Sequence, residues 1–252
     1  MHTFYVPSIR PNADTVEISD LEHHHLRNVL RLKKNDVIQI IDGKGGVYSA
    51  KVNRISVEST TAQITEQTYY PKKTPVLMLF QGIPKNDKME LILQKTTELG
   101  VSQIVPMITE RTLQKPSENR LKRWNRIVIS ATKQCKSVWL PEIQQVKDFD
   151  ACISTITTET LSLILWEREK KHHIRNVFKS NATPESLALF VGPEGGFTEN
   201  EVNNAVNKGC IPVTIGSNTL RTETAAIAAT AIVAYQYRLK NNEDSKTYHN
   251  GM

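Results

Sequence analysis

The residues that could support chemistry lie mainly in two loops in the last third of the sequence. The first, residues 192–197, follows an apolar run ending at Val191 and precedes Thr198 and Glu201, whose T-x-x-E spacing predicts a capped helix start. Glycines between a strand and a helix let backbone groups approach a ligand closely, although they can equally serve a tight turn. The loop is neither G-x-G-x-x-G nor G-x-x-x-x-G-K-S/T, so a dinucleotide fingerprint and a P-loop are excluded.

The second loop, residues 216–224, follows an apolar run ending at Ile215. Arg221 and Glu223 stand near its end, just before the almost uninterrupted apolar segment 225–235. This charged pair could orient a substrate, or it could cap the helix and pair internally. The segment predicts a helix without a polar face, which must pack against a sheet or a second subunit.

Five apolar runs interleaved with helical patterns predict the element that positions these loops, a parallel sheet covered on both faces. The runs are residues 75–81, 103–109, 161–166, 187–191 and 211–215. Because ligands bind at the carboxyl ends of such strands, both loops are expected at one edge of the sheet. Asp87 with Glu90 predicts the start of the first helix, and Gly100 its end. Residues 117–135 predict a second helix with one apolar and one basic face.

The first 70 or so residues have a different pattern, with short strands and one short helix. Residues 37–42 and 47–55 flank the turn 43–46 and predict a hairpin, and residues 61–68 predict a further strand. A small β-barrel is the simplest closed form for such a segment, because it leaves few strand edges exposed. Residues 70–75 then indicate a linker.

Composition and charge narrow the class of protein. A chain of 252 residues favours two unequal domains, and a net charge of +6 with a pI of about 9.1 favours a polyanionic partner. Cys135, Cys152 and Cys210 are far apart and suggest neither a disulfide framework nor a zinc site. Neither a secretory signal in residues 1–12 nor an apolar run of roughly 20 residues is found, so we expect a cytoplasmic protein.

Several ordered motifs between about residues 4 and 240 belong together. They are HHLRNVLRLKKND, KNDKMELILQKTTELGVSQIVPMITERT, LFVGPEGGFTENEV and IGSNTLRTETAAIAA. In these motifs the chain resembles the RsmE family of small-subunit rRNA uridine N3 methyltransferases, which are members of the SPOUT superfamily. The resemblance implies an α/β fold: a PUA-like β-barrel RNA-binding domain at residues 1–70, a knotted SPOUT (trefoil-knot) methyltransferase domain with a parallel sheet at residues 75–240, and a polar tail at residues 241–252.

The resemblance also implies a function and a set of site residues. The function is methylation of uridine N3 in 16S rRNA of the assembled small ribosomal subunit by a homodimer that uses S-adenosyl-L-methionine, with no membrane and no metal. The implied cofactor-binding residues are Leu165, Trp166, Glu167, Gly192, Pro193, Glu194, Gly195, Gly196, Ile215, Gly216, Ser217, Leu220, Arg221, Thr222 and Thr224. The candidate RNA-binding residues, each of which could also be an ordinary surface charge, are Arg27, Arg31, Lys85, Lys88, Arg111, Lys133, Gln134 and Lys136.

The reaction needs a group that favours the uridine anion, because N3 becomes nucleophilic only after it loses its proton. Arg221 could stabilise that charge, and Glu223 or Glu194 could act as the general base. The sequence leaves this choice open. It also leaves open a tRNA target and a noncatalytic role in RNA binding or ribosome assembly. The triplet His23, His24, His25 favours a surface or core role over a metal site, because adjacent helical residues do not share a face.

The chain departs from the family pattern at three single residues and in one segment. Asn35 and Asn86 stand where relatives often have Gly, and Lys88 replaces a frequent Arg. Asn tolerates left-handed backbone conformations, so the two turns are expected to survive. Residues 133–142 lack arginines that many relatives carry, which leaves the RNA contacts of that segment undefined.

Overall fold

The computed structural model describes residues 1–10, 12–180 and 183–244, without the side chains of residues 180 and 238–244. The chain divides into two compact units. The first unit comprises Met1–Lys72 with Ile129–Leu140, and the second comprises Lys73–Val128 with the described part of residues 141–252. The grouping of Ile129–Leu140 with the first unit was not anticipated, because the helical pattern continues without interruption past Val128.

The first unit is built on a five-stranded sheet. Its elements are β1 (Thr3–Tyr5), β2 (Thr15–Ile18), α1 (Asp20–His24) followed by a π-helical turn (His25–Val29), β3 (Val37–Ile41), β4 (Gly46–Ile55) and β5 (Thr60–Tyr69). The strand order is β1-β3-β4-β5-β2. The predicted hairpin is confirmed, because β3 and β4 pair antiparallel from Val37 opposite Lys51 to Ile41 opposite Val47.

This sheet curls around a single core. Phe4 on one edge strand and Ile18 on the other are fully buried in the same cluster as Ile38 and Ile40 from the middle of the sheet. Two register shifts in the β4–β5 pairing strengthen the bend, as bulges do. Both edges therefore face one interior, as expected for a barrel-like PUA domain.

The second unit contains a parallel sheet with helices between its strands. The elements are β6 (Val76–Gly82), α2 (Lys88–Glu98), β7 (Gln103–Ile108), α3 (Glu118–Gln134, of which the part from Ile129 belongs to the first unit), β8 (Glu142–Ile143), β9 (Lys147–Asp148), α4 (Phe149–Ile153), β10 (Thr160–Leu165), α5 (Ile174–Ser180), β11 (Ser186–Val191), α6 (Glu199–Asn207), β12 (Ile211–Val213) and α7 (Thr222–Asp244). The strand order is β12-β10-β11-β6-β7-β8, and β9 also pairs with β7. Every pairing among these strands is parallel, which confirms the predicted sheet.

Aromatic side chains fix the centre of this sheet to the first glycine loop. Phe80 on β6 and Phe190 on β11 stack with ring centroids 4.3 Å apart. Phe149 on α4 contacts both Phe190 and Phe197, which directly follows the loop and is 2% exposed. Burial of the Phe197 ring therefore anchors the end of residues 192–196.

The helix ends follow the sequence signals. The Thr198–Glu201 capping box is present, and Gly100 has the positive φ of +80° expected just beyond α2. The helix start predicted from Asp87 and Glu90 is confirmed, because Asp87 immediately precedes α2. The Asp87 side chain makes no capping hydrogen bond, since its backbone (φ −88°, ψ 6°) lacks the extended conformation that a capping side chain needs.

The last helix, α7, begins at Thr222 and continues to Asp244, so residues 241–244 of the predicted polar tail are helical. Residues 245–252 of that tail lie outside the described residues. Among the described residues, we find no helix that combines the length and apolar character of a membrane span. The trefoil knot stays a prediction, because strand order alone does not define how a chain is threaded.

Candidate active site

Three loops at the carboxyl edge of the parallel sheet enclose a cavity of about 970 Å³. They follow β10, β11 and β12, which are adjacent in the sheet, with Leu165 directly opposite Val213. The strands therefore deliver all three loops to one place. All but one of the predicted cofactor residues line this cavity, namely Leu165, Trp166, Glu167, Gly192, Pro193, Glu194, Gly195, Gly196, Ile215, Gly216, Ser217, Leu220, Arg221 and Thr222.

Thr224 is the exception and does not line the cavity. Its side chain is exposed, one residue after Glu223 on the first turn of α7. Sequence reasoning missed several lining residues, among them Glu169, Lys170 and His173 in the polar stretch that follows β10. The rule that ligands bind beyond strand ends would have included them if the loop had been read past Glu167.

Two glycines allow the close packing that shapes the cavity wall. A β-carbon on Gly82 would lie 2.6 Å from the backbone nitrogen of Pro193, and one on Gly192 would lie 3.0 Å from the carbonyl carbon of Gly196. These two positions need glycine for close packing. Gly196 has the positive φ of +68° that the tight-turn alternative requires. Gly216 differs, because nothing lies within 4 Å of the position its β-carbon would take. Its bare peptide therefore faces open space beside the cavity.

A buried hydrogen-bond network joins the first and second loops. The Thr222 hydroxyl donates to the Gly192 carbonyl at 2.5 Å, and the Gln81 side-chain amide donates to the Thr222 hydroxyl at 3.1 Å. The same amide donates to the Gly82 carbonyl at 2.9 Å. Gln81 is fully buried and Thr222 is 5% exposed, so water cannot replace these bonds easily. The network holds the end of β6, the glycine loop and the start of α7 in one arrangement.

Lys88 organises the two candidate catalytic carboxylates. Its ammonium group lies 2.9 Å from the Glu194 carboxylate and 3.9 Å from that of Glu223. Partial burial alone raises the pKa of Glu194, but the hydrogen bonds from Lys88, from its own backbone and from the Lys85 N–H lower that pKa overall. Glu194 is therefore a stable anion and a weak proton acceptor. The Oε2 atom of Glu223 is buried and has no hydrogen-bond partner among the described residues.

Arg221 is free to meet a substrate. Its side chain is exposed at the cavity and makes no ion pair or hydrogen bond within the described part of the chain. The alternative in which Arg221 and Glu223 pair with each other is therefore not realised. An unpaired guanidinium next to a cavity supplies a positive charge without having to break an internal bond.

The candidate RNA-binding residues fall into two groups. Lys88 lines the cavity and pairs with Glu194, and Lys133 forms a half-buried ion pair with Glu22 at 2.5 Å. Both lysines therefore have partners within the protein. The others are exposed, namely Arg27, Arg31, Lys85, Arg111, Gln134 and Lys136. Arg111 also donates a hydrogen bond to the Gly195 carbonyl at 2.5 Å, which places it against the glycine loop.

The histidine triplet and the cysteines take no part in the cavity. His23 is 6% exposed and its ring nitrogens contact the Thr60 hydroxyl and the Val57 carbonyl, which is the expected core role. Burial raises the pKa of both the Cys152 and Cys210 thiols to about 12. Within residues 1–10, 12–180 and 183–244, no three His, Cys, Asp or Glu side chains form a group that could hold a metal ion.

Comparison with known proteins identifies the family. Residues 71–234 match the RNA methyltransferase domain family, and residues 19–64 match the RNA methyltransferase PUA domain family. The chain is 37% identical to ribosomal RNA small subunit methyltransferase E from Synechocystis, over 86% of this chain and 72% of that protein. The chain belongs to the ribosomal RNA small subunit methyltransferase E family. The Rickettsia conorii member of the family is 32% identical over 91% of this chain and 93% of its own length.

Two solved structures resemble the chain over almost its whole length. One is the methyltransferase E family member from Neisseria gonorrhoeae bound to S-adenosylmethionine, with a TM-score of 0.86 and 32% identity over 94% of this chain and 98% of that one. The other is a methyltransferase from Legionella pneumophila in complex with S-adenosylmethionine, with a TM-score of 0.83 and 30% identity over 92% and 96%. The predicted combination of a PUA-like unit and a methyltransferase domain is thereby confirmed.

Proposed function

We propose that this protein transfers a methyl group from S-adenosylmethionine to N3 of a uridine in 16S rRNA of the assembled small ribosomal subunit, in the cytoplasm. The single observation that carries the proposal is the 970 Å³ cavity walled by three loops at the edge of the sheet. The named activity of the relatives supports the reaction, and the two neighbours that hold S-adenosylmethionine support the cofactor.

The residues of the cavity fit such a cofactor. Its volume lies within the range of about 300–1,000 Å³ usual for small-molecule sites. Glu167 and Glu169 offer carboxylates to the sulfonium and ammonium groups, and Lys170 offers a cation to the carboxylate. The indole N–H of Trp166 is buried without a partner among the described residues, and a bound ligand could satisfy it. When bound, the cofactor supplies an electrophilic methyl group.

The chain must supply positioning and charge. Arg221 is the cation best placed to stabilise the uridine anion, because its guanidinium lies at the cavity and has no other partner among the described residues. Of the two carboxylates, Glu223 is the better candidate for the general base, because the lowered pKa of Glu194 makes Glu194 a weaker base. Lys88 holds both carboxylates within 4 Å of one ammonium group. Uridine N3 is covered in a paired base, so the target must be unpaired or flipped out.

We also propose that the protein is a homodimer that associates through α7. The buried face of this helix carries Ala226, Ala229, Thr230, Val233 and Tyr237. The remaining described positions are largely apolar too, and Tyr235 is 72% exposed. A second copy would cover this apolar surface. Light scattering that gave the mass of a single chain at micromolar concentration would contradict the dimer.

Mass spectrometry of modified nucleosides tests the reaction. Deletion of the gene is expected to remove 3-methyluridine from 16S rRNA, and re-expression is expected to restore it. A loss confined to tRNA would establish the tRNA alternative instead. Titration calorimetry on the purified protein distinguishes the enzyme from the noncatalytic alternative, because a ribosome assembly factor without enzymatic activity would bind no S-adenosylmethionine.

Arg221→Ala tests the proposed mechanism. The exposed side chain makes no internal contact that its loss would break, so the variant is expected to fold. Removal of one charge-stabilising donor typically slows catalysis about 100- to 1,000-fold. Near-normal turnover of small subunits by this variant would remove Arg221 from the mechanism.

A further inference from the structure

Aromatic and lysine side chains form a surface cluster in the first unit, and none of them lines the cavity. This aromatic–lysine cluster consists of Tyr69, Tyr70, Trp139, Lys44 and Lys72. Tyr69 is 67% exposed and Tyr70 is 48% exposed. Exposed aromatic rings next to lysines are typical of surfaces that bind single-stranded nucleic acid.

Trp139 is held rigidly at the centre of the cluster. Its indole N–H donates to the carbonyls of Tyr70 and Pro71, both at 3.2 Å. A β-carbon on Gly45 would lie 2.8 Å from the indole ring, so the ring packs directly against that peptide. Trp139 therefore has a structural role, which is to fasten the segment Ile129–Leu140 to the β3–β4 turn.

No such role accounts for Tyr69. Its ring meets Trp139 edge-on, with centroids 6.3 Å apart and an interplanar angle of 76°. This contact orients the Tyr69 ring while two thirds of the side chain stays exposed. Within the described residues the phenol hydroxyl has no hydrogen-bond partner. Most of the Tyr69 side chain is therefore accessible to a ligand.

Two lysines lie beside Trp139, the ring that Tyr69 contacts. The Lys72 ammonium group lies 6.0 Å from the Trp139 ring centroid, and Lys44 pairs through its backbone with Trp139. Both side chains are exposed. The carboxylate of Asp42 is already engaged by the backbone N–H groups of Lys44 and Gly46. A ligand that complements this cluster combines a flat ring, which stacks on an aromatic side chain, with a negative charge, which pairs with lysine. A nucleotide has both features.

We propose that the aromatic–lysine cluster binds an unpaired nucleotide of the RNA substrate, whose base stacks on Tyr69 while Lys44 and Lys72 face the flanking phosphates. The inference rests on the proposed function in taking RNA as the substrate.

The test uses a fluorescein-labelled oligouridylate of about ten nucleotides and fluorescence anisotropy at several salt concentrations. Alanine substitution of a stacking residue weakens binding by roughly 5- to 150-fold per base, and a lost phosphate contact lowers the salt slope by about 0.7. Tyr69→Ala is therefore expected to raise the Kd within that range with an unchanged slope. Lys72→Ala is expected to flatten the slope, and Tyr69→Phe to bind within twofold of the wild type.

Lys208→Ala is the matched control, because Lys208 is an exposed lysine at the end of α6. It is expected to leave both Kd and slope unchanged. The inference is overturned if Tyr69→Ala binds within twofold of the wild type, if Tyr69→Phe loses as much as Tyr69→Ala, or if the wild type does not bind the oligonucleotide. Methyl transfer to purified small subunits reports separately on the proposed function: transfer by the wild type combined with any of these results refutes the nucleotide site alone.

Discussion

The hydroxyl of Thr222 offers a direct test of how the cavity is held in shape. It donates to the Gly192 carbonyl and accepts from the Gln81 amide, and all three groups are buried. Thr222→Val keeps the shape of the side chain and removes only the hydroxyl. The Gly192 carbonyl would then keep only a long contact of 3.5 Å from the Gln81 amide.

The expected loss of stability follows from the hydrogen bonds that Thr222→Val removes. A buried acceptor that loses its partner costs about 1–3 kcal/mol. In a chain of this length each kcal/mol lowers Tm by roughly 2–4 °C, so a fall of about 2–12 °C is expected. Because the Gly192 carbonyl belongs to a loop that walls the cavity, part of the cost should appear as weaker S-adenosylmethionine binding, on the order of tenfold.

Thr222→Ser is the matched control, because it keeps the hydroxyl and removes only a methyl group. Burial of that methyl group contributes about 0.8 kcal/mol, so Tm should fall by only a few degrees and the Kd should stay within about twofold. Isothermal titration calorimetry gives the Kd of S-adenosylmethionine, and differential scanning calorimetry gives the Tm. The reasoning is wrong if Thr222→Val matches the wild type in both measurements, or if Thr222→Ser is as damaging as Thr222→Val.

Three further predictions concern ionisable groups. Glu223→Gln should reduce the single-turnover rate more than Glu194→Gln, because the pKa of Glu194 is lowered; the reverse order would assign the base to Glu194. Burial raises the pKa of Glu169, but hydrogen bonds from His172 and Lys171 lower this pKa overall from 4.5 to about 2. The ionised Glu169 carboxylate therefore stabilises the folded state fully above pH 4.5, and this stabilisation disappears as the pH falls towards 2. Thermal unfolding of Glu169→Gln should therefore depend less on pH in that window than that of the wild type, and parallel curves would contradict this. Because the pKa of Cys152 and of Cys210 is about 12, iodoacetamide should leave both unmodified in the folded protein at neutral pH, and rapid labelling seen by mass spectrometry would show otherwise.

The sequence predicts most of what local pattern controls. The apolar runs of the second unit become parallel strands, and the Thr198–Glu201 spacing becomes a capping box. The two glycine loops meet at one cavity because parallel strands place their carboxyl ends at the same edge. Each of these results depends on residues that are close together in the chain.

The contacts that sequence reasoning did not predict join distant segments of the chain. Lys88 joins Glu194 across 106 positions, and no spacing rule connects them. Lys133, a candidate RNA-binding residue, pairs with Glu22 across 111 positions. The helix start at Asp87 was predicted, but its side chain makes no capping hydrogen bond; the positive φ of +55° at the preceding Asn86 turns the chain in a way that the D-x-x-E pattern does not encode.

One helix serves both the cavity and the apolar outer surface. The first turn of α7 contributes Thr222 and Ala225 to the cavity wall, and Tyr235 is exposed about three turns further on. A helix is stiff along its axis, so a displacement of the part of α7 near Tyr235 is transmitted almost fully to its first turn. A second copy docked along α7 would therefore act on methyl-donor affinity, and by reciprocity the donor would tighten or loosen the association of the two copies by the same factor.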